Sequence, residues 1–247
     1  MEEITSRTNK KILNVVALQK EKARQEQGLF VDEGFKNLLM ALKNHLVKEV
    51  YTTKPLSIDD ENVDVYLINE QVLDKITLNK NSDGIVFVAK IPSYDNIPFQ
   101  KVVYLDNVQD PGNVGTIIRT SLAFGIDAVV LSPGCASIYN NKTLAAAKGA
   151  FYQIPVFSLN FDDLMTAKKE DQKLIVTTLA RGSIDLEDTP RPFSYVLVFG
   201  NEGNGVRPEI QLSADYLTKI DIAHIDSLNV AVSAGIVLHH FTKNYTY

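Results

Sequence analysis

The sequence contains no tryptophan, a single cysteine, three methionines and four histidines in 247 residues. A lone thiol, Cys135, excludes an intramolecular disulfide and fits a reducing compartment such as the cytoplasm. Scattered histidines (His45, His224, His239, His240) beside one cysteine offer no metal-ligand spacing, so no metal is expected. No apolar run approaches the roughly 18 residues that a membrane span needs. The polar opening MEEITSRTNKK lacks the apolar stretch of a secretory signal. Internal repeats and low-complexity tracts are missing too. What is present is an ordinary globular composition, 45% hydrophobic and 22% charged. The length allows one large domain or two modest ones, each with its own core.

The net charge of −5 argues nothing for nucleic acid by itself, but its distribution is uneven. Residues 1–50 hold 9 Lys/Arg against 7 Asp/Glu, whereas residues 51–247 hold 16 against 23. Arg7, Lys10, Lys11, Lys20, Lys22 and Arg24 face one acid, Glu21, across an 18-residue stretch. A local basic segment can grip phosphates on an otherwise acidic protein. A solvated helix face explains the same cluster without any partner.

Two blocks of alternating elements follow. In the first, Ile12, Leu13, Val16 and Ala17 recur at helical spacing within Thr8–Gln27, and Gly28 supplies a stop. Strands are expected at 29–34, 47–53, 63–68 and 84–90, with helices at 35–46 and 69–77. The stretch IPSYDNIPF (91–99) has two prolines and no period, and reads as a linker between domains at 1–93 and 98–247. The second block predicts strands at 101–106, 127–132, 154–159, 173–179, 194–199 and 217–222. Its helices are expected at 113–124, 141–149, 161–170 and 226–242. Strands separated by helical crossovers make an α/β fold with a parallel sheet, whose ligands sit at the strands' carboxyl ends.

Three stretches in this block could carry chemistry, and each follows a strand: DPGNVGTIIRT, VLVFGNEGNGV and IDIAHIDSLNVAVSAG. Taken singly, each has a structural explanation. Asn113 suits a helix cap, Arg119 an exposed side chain, and Gly203 and Gly205 simple turns. Ser227 or Asp226 would cap the last helix. GNEGNG departs from the dinucleotide fingerprint G-x-G-x-x-G, and Pro208 follows three residues on, which speaks against a phosphate-binding helix there. Asp221 stands where a ribose-reading acid would, so a nicotinamide-dependent oxidoreductase remains an alternative.

Together the stretches resemble the three motifs of the SpoU (TrmH-like) RNA ribose methyltransferases of the SPOUT superfamily. The first motif, N-x-G-x-x-x-R, reads Asn113 to Arg119. The second, G-x-E-G-x-G, reads Gly200 to Gly205. The third reads Ile220 followed by Ser227-Leu228-Asn229-Val230 and Ala234, with Asp221 where the family usually has proline. The resemblance covers residues 99–243. Residues 4–34 are similar, more loosely, to the ribosomal-protein-like substrate-binding domain that many members carry.

The resemblance implies a trefoil-knotted C-terminal domain, a homodimer, and S-adenosylmethionine held by Gly200, Gly203, Ile220, Ala223 and Leu228. Thr178 and Leu179 are added from the end of a parallel strand. RNA would be gripped by the Arg7–Arg24 cluster, and its ribose 2′-hydroxyl would receive the methyl group. Ribosomal RNA is the first expectation; transfer RNA, or RNA binding without catalysis, is the alternative. Transfer to a hydroxyl needs an aligned oxygen and relief of its proton. Some accounts of the family make the arginine the general base, but guanidinium holds its proton too tightly for that. Arg119 is therefore expected to act electrostatically, on a phosphate or the developing alkoxide. Glu202 would orient Arg119 or accept the proton, and Asn113, Ser227 and Asn229 would hydrogen-bond around the ribose.

Overall fold

The computed structural model describes residues 2–79, 81–94, 99–179 and 182–242. The chain divides into two units, Met1–Ser93 with Tyr139–Asn141, and Tyr94–Ile138 with Lys142–Tyr247. Part of the expected linker, residues 95–98, lies outside the described residues, as do positions 243–247.

The first unit runs β1 (Glu2–Ile4), α1 (Lys10–Leu18), α2 (Glu21–Gln27), β2 (Leu29–Glu33), α3 (Phe35–Lys43), β3 (Val47–Thr52), β4 (Asp64–Ile68), α4 (Glu70–Ile76) and β5 (Ile85–Lys90). Its sheet has the order β1-β4-β3-β5-β2; the first three strands are parallel and the last two join antiparallel. Ile12, Val15 and Leu18 of α1 and Val72, Leu73 and Ile76 of α4 bury against Val31, Tyr51, Val86 and Val88. Phe30, Val50 and Phe87 alternate with these along the strands and are buried toward the other face. The expected long first helix is broken. Lys20 is extended between α1 and α2, and the reason lies in Arg24, whose guanidinium donates to the Gln19 carbonyl at 2.8 Å and the Leu18 carbonyl at 3.3 Å. Those are carbonyls that the end of α1 would otherwise leave without partners. Gly28 closes α2 in the left-handed conformation at φ 63°, as its position suggests.

The second unit runs β6 (Lys101–Leu105), α5 (Pro111–Ala123), β7 (Ala128–Leu131), α6 (Asn141–Ala147), β8 (Val156–Ser158), α7 (Phe161–Ala167), β9 (Lys173–Thr177), β10 (Ile184–Asp185), β11 (Tyr195–Phe199), α8 (Pro208–Leu212), β12 (Tyr216–Lys219) and α9 (Val230–Thr242). Seven strands form one all-parallel sheet in the order β10-β12-β9-β11-β6-β7-β8. Buried on both faces, β11 reads as the uninterrupted apolar run YVLVF. Phe161 and Leu164 of α7 and Ile210 of α8 cover one face over Tyr104, Val176 and Val198. Val114, Ile117 and Ile118 of α5 and Ala234, Val237 and Leu238 of α9 are buried, and these two helices pack on each other. Pro208 does not forbid a helix after the glycine loop; it opens α8, where its missing N–H costs nothing.

Candidate active site

Three loops follow the carboxyl ends of β9, β11 and β12, and a pocket of about 480 Å³ opens among them. Six of the residues expected to hold the cofactor line it: Thr178, Leu179, Gly200, Gly203, Ile220 and Leu228. Glu202 and Ser227 line it too, whereas Ala223 is exposed and stands outside the lining. Ile220 follows β12, which ends at Lys219 rather than continuing to residue 222.

The loop after β11 is tied by one residue that the sequence reading passed over. The Asn201 side chain accepts from the Gly203 N–H at 2.9 Å and the Asn204 N–H at 3.0 Å, and donates to the Asn107 carbonyl at 2.8 Å. Its backbone exchanges two hydrogen bonds with Gly205. This closes the loop so tightly that any Cβ at Gly200 would collide with the Gly205 and Val206 backbone. At Gly203 an added Cβ meets only Asn201 Oδ1, at 3.5 Å, so of the two glycines expected to hold the cofactor it is Gly200 that tolerates no side chain. A second tie is electrostatic. The carboxylate of Asp106, wholly buried at the end of β6, accepts from Arg207 Nε at 2.8 Å and from the Arg207 N–H at 2.9 Å. Burial opposes the Arg207 charge, but the hydrogen bond and charge of Asp106 outweigh it and hold the guanidinium above its ordinary pKa.

Asn113 is not the helix cap. Asp110 caps α5, accepting from the Asn113 N–H at 2.8 Å, and leaves the Asn113 amide in the first turn pointing outward from the helix. Asn229 is the cap of α9, in place of Asp226 or Ser227. Its Oδ1 accepts from the N–H groups of Ala231 at 2.9 Å and Val232 at 3.3 Å. That fixes the rest of a chain. Asn229 Nδ2 must face away and donates to Asn113 Oδ1 at 3.0 Å, so Asn113 Nδ2 donates to Glu202 Oε1 at 2.9 Å. Helix capping thus sets the direction of a three-residue relay ending on a carboxylate at the pocket wall.

Arg119 is elsewhere. It stands roughly 9 Å along α5 from Asn113 and about a third of a turn around it, exposed and without an ion pair or hydrogen bond among the described residues. The expected pairing of Glu202 with Arg119 is replaced by the Glu202–Asn113 contact.

In the basic segment, Arg24 is the correction: it is 7% exposed and engaged in capping α1, so it is not free for phosphate. Lys11 is half-buried, with Nζ 4.6 Å from the Tyr66 ring centre and 3.8 Å from Glu49. Lys22 is exposed and near Glu26, while Arg7, Lys10 and Lys20 are exposed. Among the described residues, no group of three His, Cys, Asp or Glu side chains could hold a metal ion, and no helix is long and apolar enough to cross a membrane.

The fold and site define a two-unit α/β protein with a small-molecule pocket over the carboxyl ends of a parallel sheet. A model of the SpoU rRNA methylase family matches residues 100–239, and a model of the MRM3-like substrate-binding domain matches residues 9–86. The chain belongs to the SpoU rRNA methylase family. It is 32% identical to the 23S rRNA (guanosine(2553)-2′-O)-methyltransferase RlmP of Bacillus subtilis, over 97% of this chain and 99% of that protein. Two crystal structures of an rRNA methyltransferase from Sinorhizobium meliloti, one of them AdoMet-bound, superpose with TM-scores of 0.90 and 0.91. Each is 29% identical and covers all of this chain and 99% of the other.

Proposed function

We propose that the chain transfers the methyl group of S-adenosylmethionine to a ribose 2′-hydroxyl of 23S ribosomal RNA. The observation that carries this is the Asn229–Asn113–Glu202 relay, which delivers a hydrogen-bonded carboxylate to the wall of the pocket. The pocket suits the cofactor. Gly200 lets the loop close on the Gly205–Val206 backbone, Thr177 Oγ1 is buried without a hydrogen-bond partner among the described residues, and Glu202 and Asp226 offer charge to a cationic ligand. When bound there, S-adenosylmethionine supplies an activated methyl on a sulfonium. Gly200, Ile220, Leu228 and Thr178 would hold it. Asn113 occupies one oxygen of Glu202, which leaves the other to take the hydroxyl proton as the new C–O bond forms. Arg119, exposed on α5, stabilises the phosphate or the developing alkoxide.

The support for 23S rRNA is the activity of the Bacillus subtilis relative, matched over both chains nearly end to end. Arg7, Lys10, Lys20 and Lys22 of the first unit contact RNA backbone. The active form is a homodimer, supported by exposed Val232 and Ile236 on the outward face of α9, and the lone Cys135 fits a cytoplasmic location. The trefoil threading of the C-terminal domain is supported by membership of the SpoU family alone. Labelled S-adenosylmethionine with in-vitro-transcribed 23S rRNA should give a nuclease-resistant 2′-O-methyl dinucleotide. A thermal shift produced by NAD but not by S-adenosylhomocysteine would overturn the reading.

A further inference from the structure

The loop from Gly200 to Gly205 is a wall with two sides. Asn201, Asn204 and Gly205 line the cofactor pocket, and they also line a second hollow of about 380 Å³ together with Asn107, Gln109 and Arg207. A third hollow of about 370 Å³ shares Asn107 and Arg207 with the second, so the two form a trough. We propose that this trough receives an unpaired nucleobase next to the target ribose, and that its amides read the base. This rests on the methyltransferase reading above, and extends it to how the RNA strand lies.

Two observations select a base over a phosphate. The side-chain amides of Asn107, Gln109 and Asn204 have no hydrogen-bond partner among the described residues, whereas that of Asn201 makes three hydrogen bonds, two within the loop and one to the Asn107 carbonyl. An amide presents a donor and an acceptor side by side, which matches the edge of a base. The charge points the same way. Arg207 is the single cation lining either hollow, and its guanidinium is matched by Asp106 at 2.8 Å and Glu209 at 3.1 Å. Asp162 adds another negative group, so a phosphate would meet net repulsion where a neutral base meets free amides. Position completes the argument. Gln109 lies four residues before Asn113, and Asn204 two after Glu202, so both sides of the trough continue into the relay. Recognition of splayed, unstacked bases by polar side chains is the usual route to sequence-specific RNA binding.

The test uses the full-length ¹⁵N-labelled protein saturated with S-adenosylhomocysteine, with side-chain amide signals followed by NMR. The Gln109 signal is assigned by its loss in Gln109→Ala. Millimolar cytidine or adenosine should shift the Gln109 and Asn204 signals, and ribose 5-phosphate should not. Gln109→Ala should raise KM for 23S rRNA about tenfold with kcat and S-adenosylhomocysteine affinity unchanged, the loss expected for one base contact. Glu209→Lys, which adds a cation to the trough, should fail to tighten RNA binding. Shifts by ribose 5-phosphate equal to those by nucleosides, or tighter RNA binding in Glu209→Lys, would make this a phosphate site and overturn the proposal. Unmoved signals with an unchanged KM would overturn it as well. Nucleoside-induced shifts in a protein that leaves 23S rRNA unmethylated would keep the trough and reject the rRNA reading.

Discussion

Arg119 stands in solvent with no hydrogen bond or ion pair among the described residues, so its charge is available to a partner at little structural consequence. Arg119→Ala should change stability by under about 0.5 kcal/mol and lower single-turnover methylation by about 10²–10³. Affinity for S-adenosylhomocysteine should stay near wild type, and Arg119→Lys should regain part of the rate. Wild-type rates in Arg119→Ala would remove the residue from the mechanism. Asn113 and Glu202 allow a sharper experiment, because their hydrogen bond has a fixed direction. Asn113→Asp alone sets two carboxylates against each other and should loosen the loop and slow methylation. Adding Glu202→Gln restores a donor–acceptor pair in reverse: the glutamine amide donates to the new carboxylate, which still accepts from Asn229. The double variant should regain cofactor affinity but not rate, since the carboxylate has moved off the pocket wall. Recovery of both would reduce Glu202 to a structural tie.

At the scale of elements, the loop after β11 and the joint between α1 and α2 decide most. Gly200→Ala should abolish measurable S-adenosylhomocysteine binding by calorimetry, while Gly203→Ala should leave it nearly intact, because only the first places a Cβ against backbone. Arg24→Ala removes a donor from two helix-end carbonyls and should lower stability by about 1–3 kcal/mol, read as a reduced denaturant midpoint. The slope of log affinity for RNA against log salt should not change in that variant. Lys20→Ala should do the opposite, leaving stability alone and flattening the slope by about 0.7–0.9 for the lost phosphate contact. The same elements show what the sequence could tell. Long apolar strands such as YVLVF announced the parallel sheet, and the glycine-rich motifs marked the pocket loops. The broken first helix was hidden, because ALQKEKARQ keeps helical spacing through Lys20 and the hydrogen bond of the Arg24 guanidinium to the Gln19 carbonyl, five residues back, leaves no mark in that spacing. β1, three residues long and carrying two charges, has no alternation to read. The cap of α5 was legible, since Asp110 before Pro111 is a local helix-start pattern; what local pattern cannot show is that a residue 116 positions away completes the hydrogen bonds of Asn113.

For the whole molecule, the apolar stripe Val230, Ala234, Val237, Leu238 and Phe241 of α9 is core within one chain. The outward face of α9 carries the remaining apolar groups, Val232 and Ile236. Light scattering at micromolar concentration should give about twice the 27.5 kDa chain mass, and Val232→Asp with Ile236→Asp should return it to one; a monomeric wild type would reject the dimer. The order of the large sheet also bears on how the protein is made. β11 is inserted between β6 and β9, its partner on either side, although it follows β9 in the chain. A nascent chain that has just delivered β9 therefore holds two strand edges that wait for β11, one on β6 and one on β9, until residue 199 has emerged, an interval of roughly a second or more at ordinary translation rates. Open edges of that kind invite pairing with other chains. Production of this enzyme should depend on how quickly translation crosses residues 178–199, and slow codons there should send more of it to chaperones or aggregates than slow codons anywhere before β9.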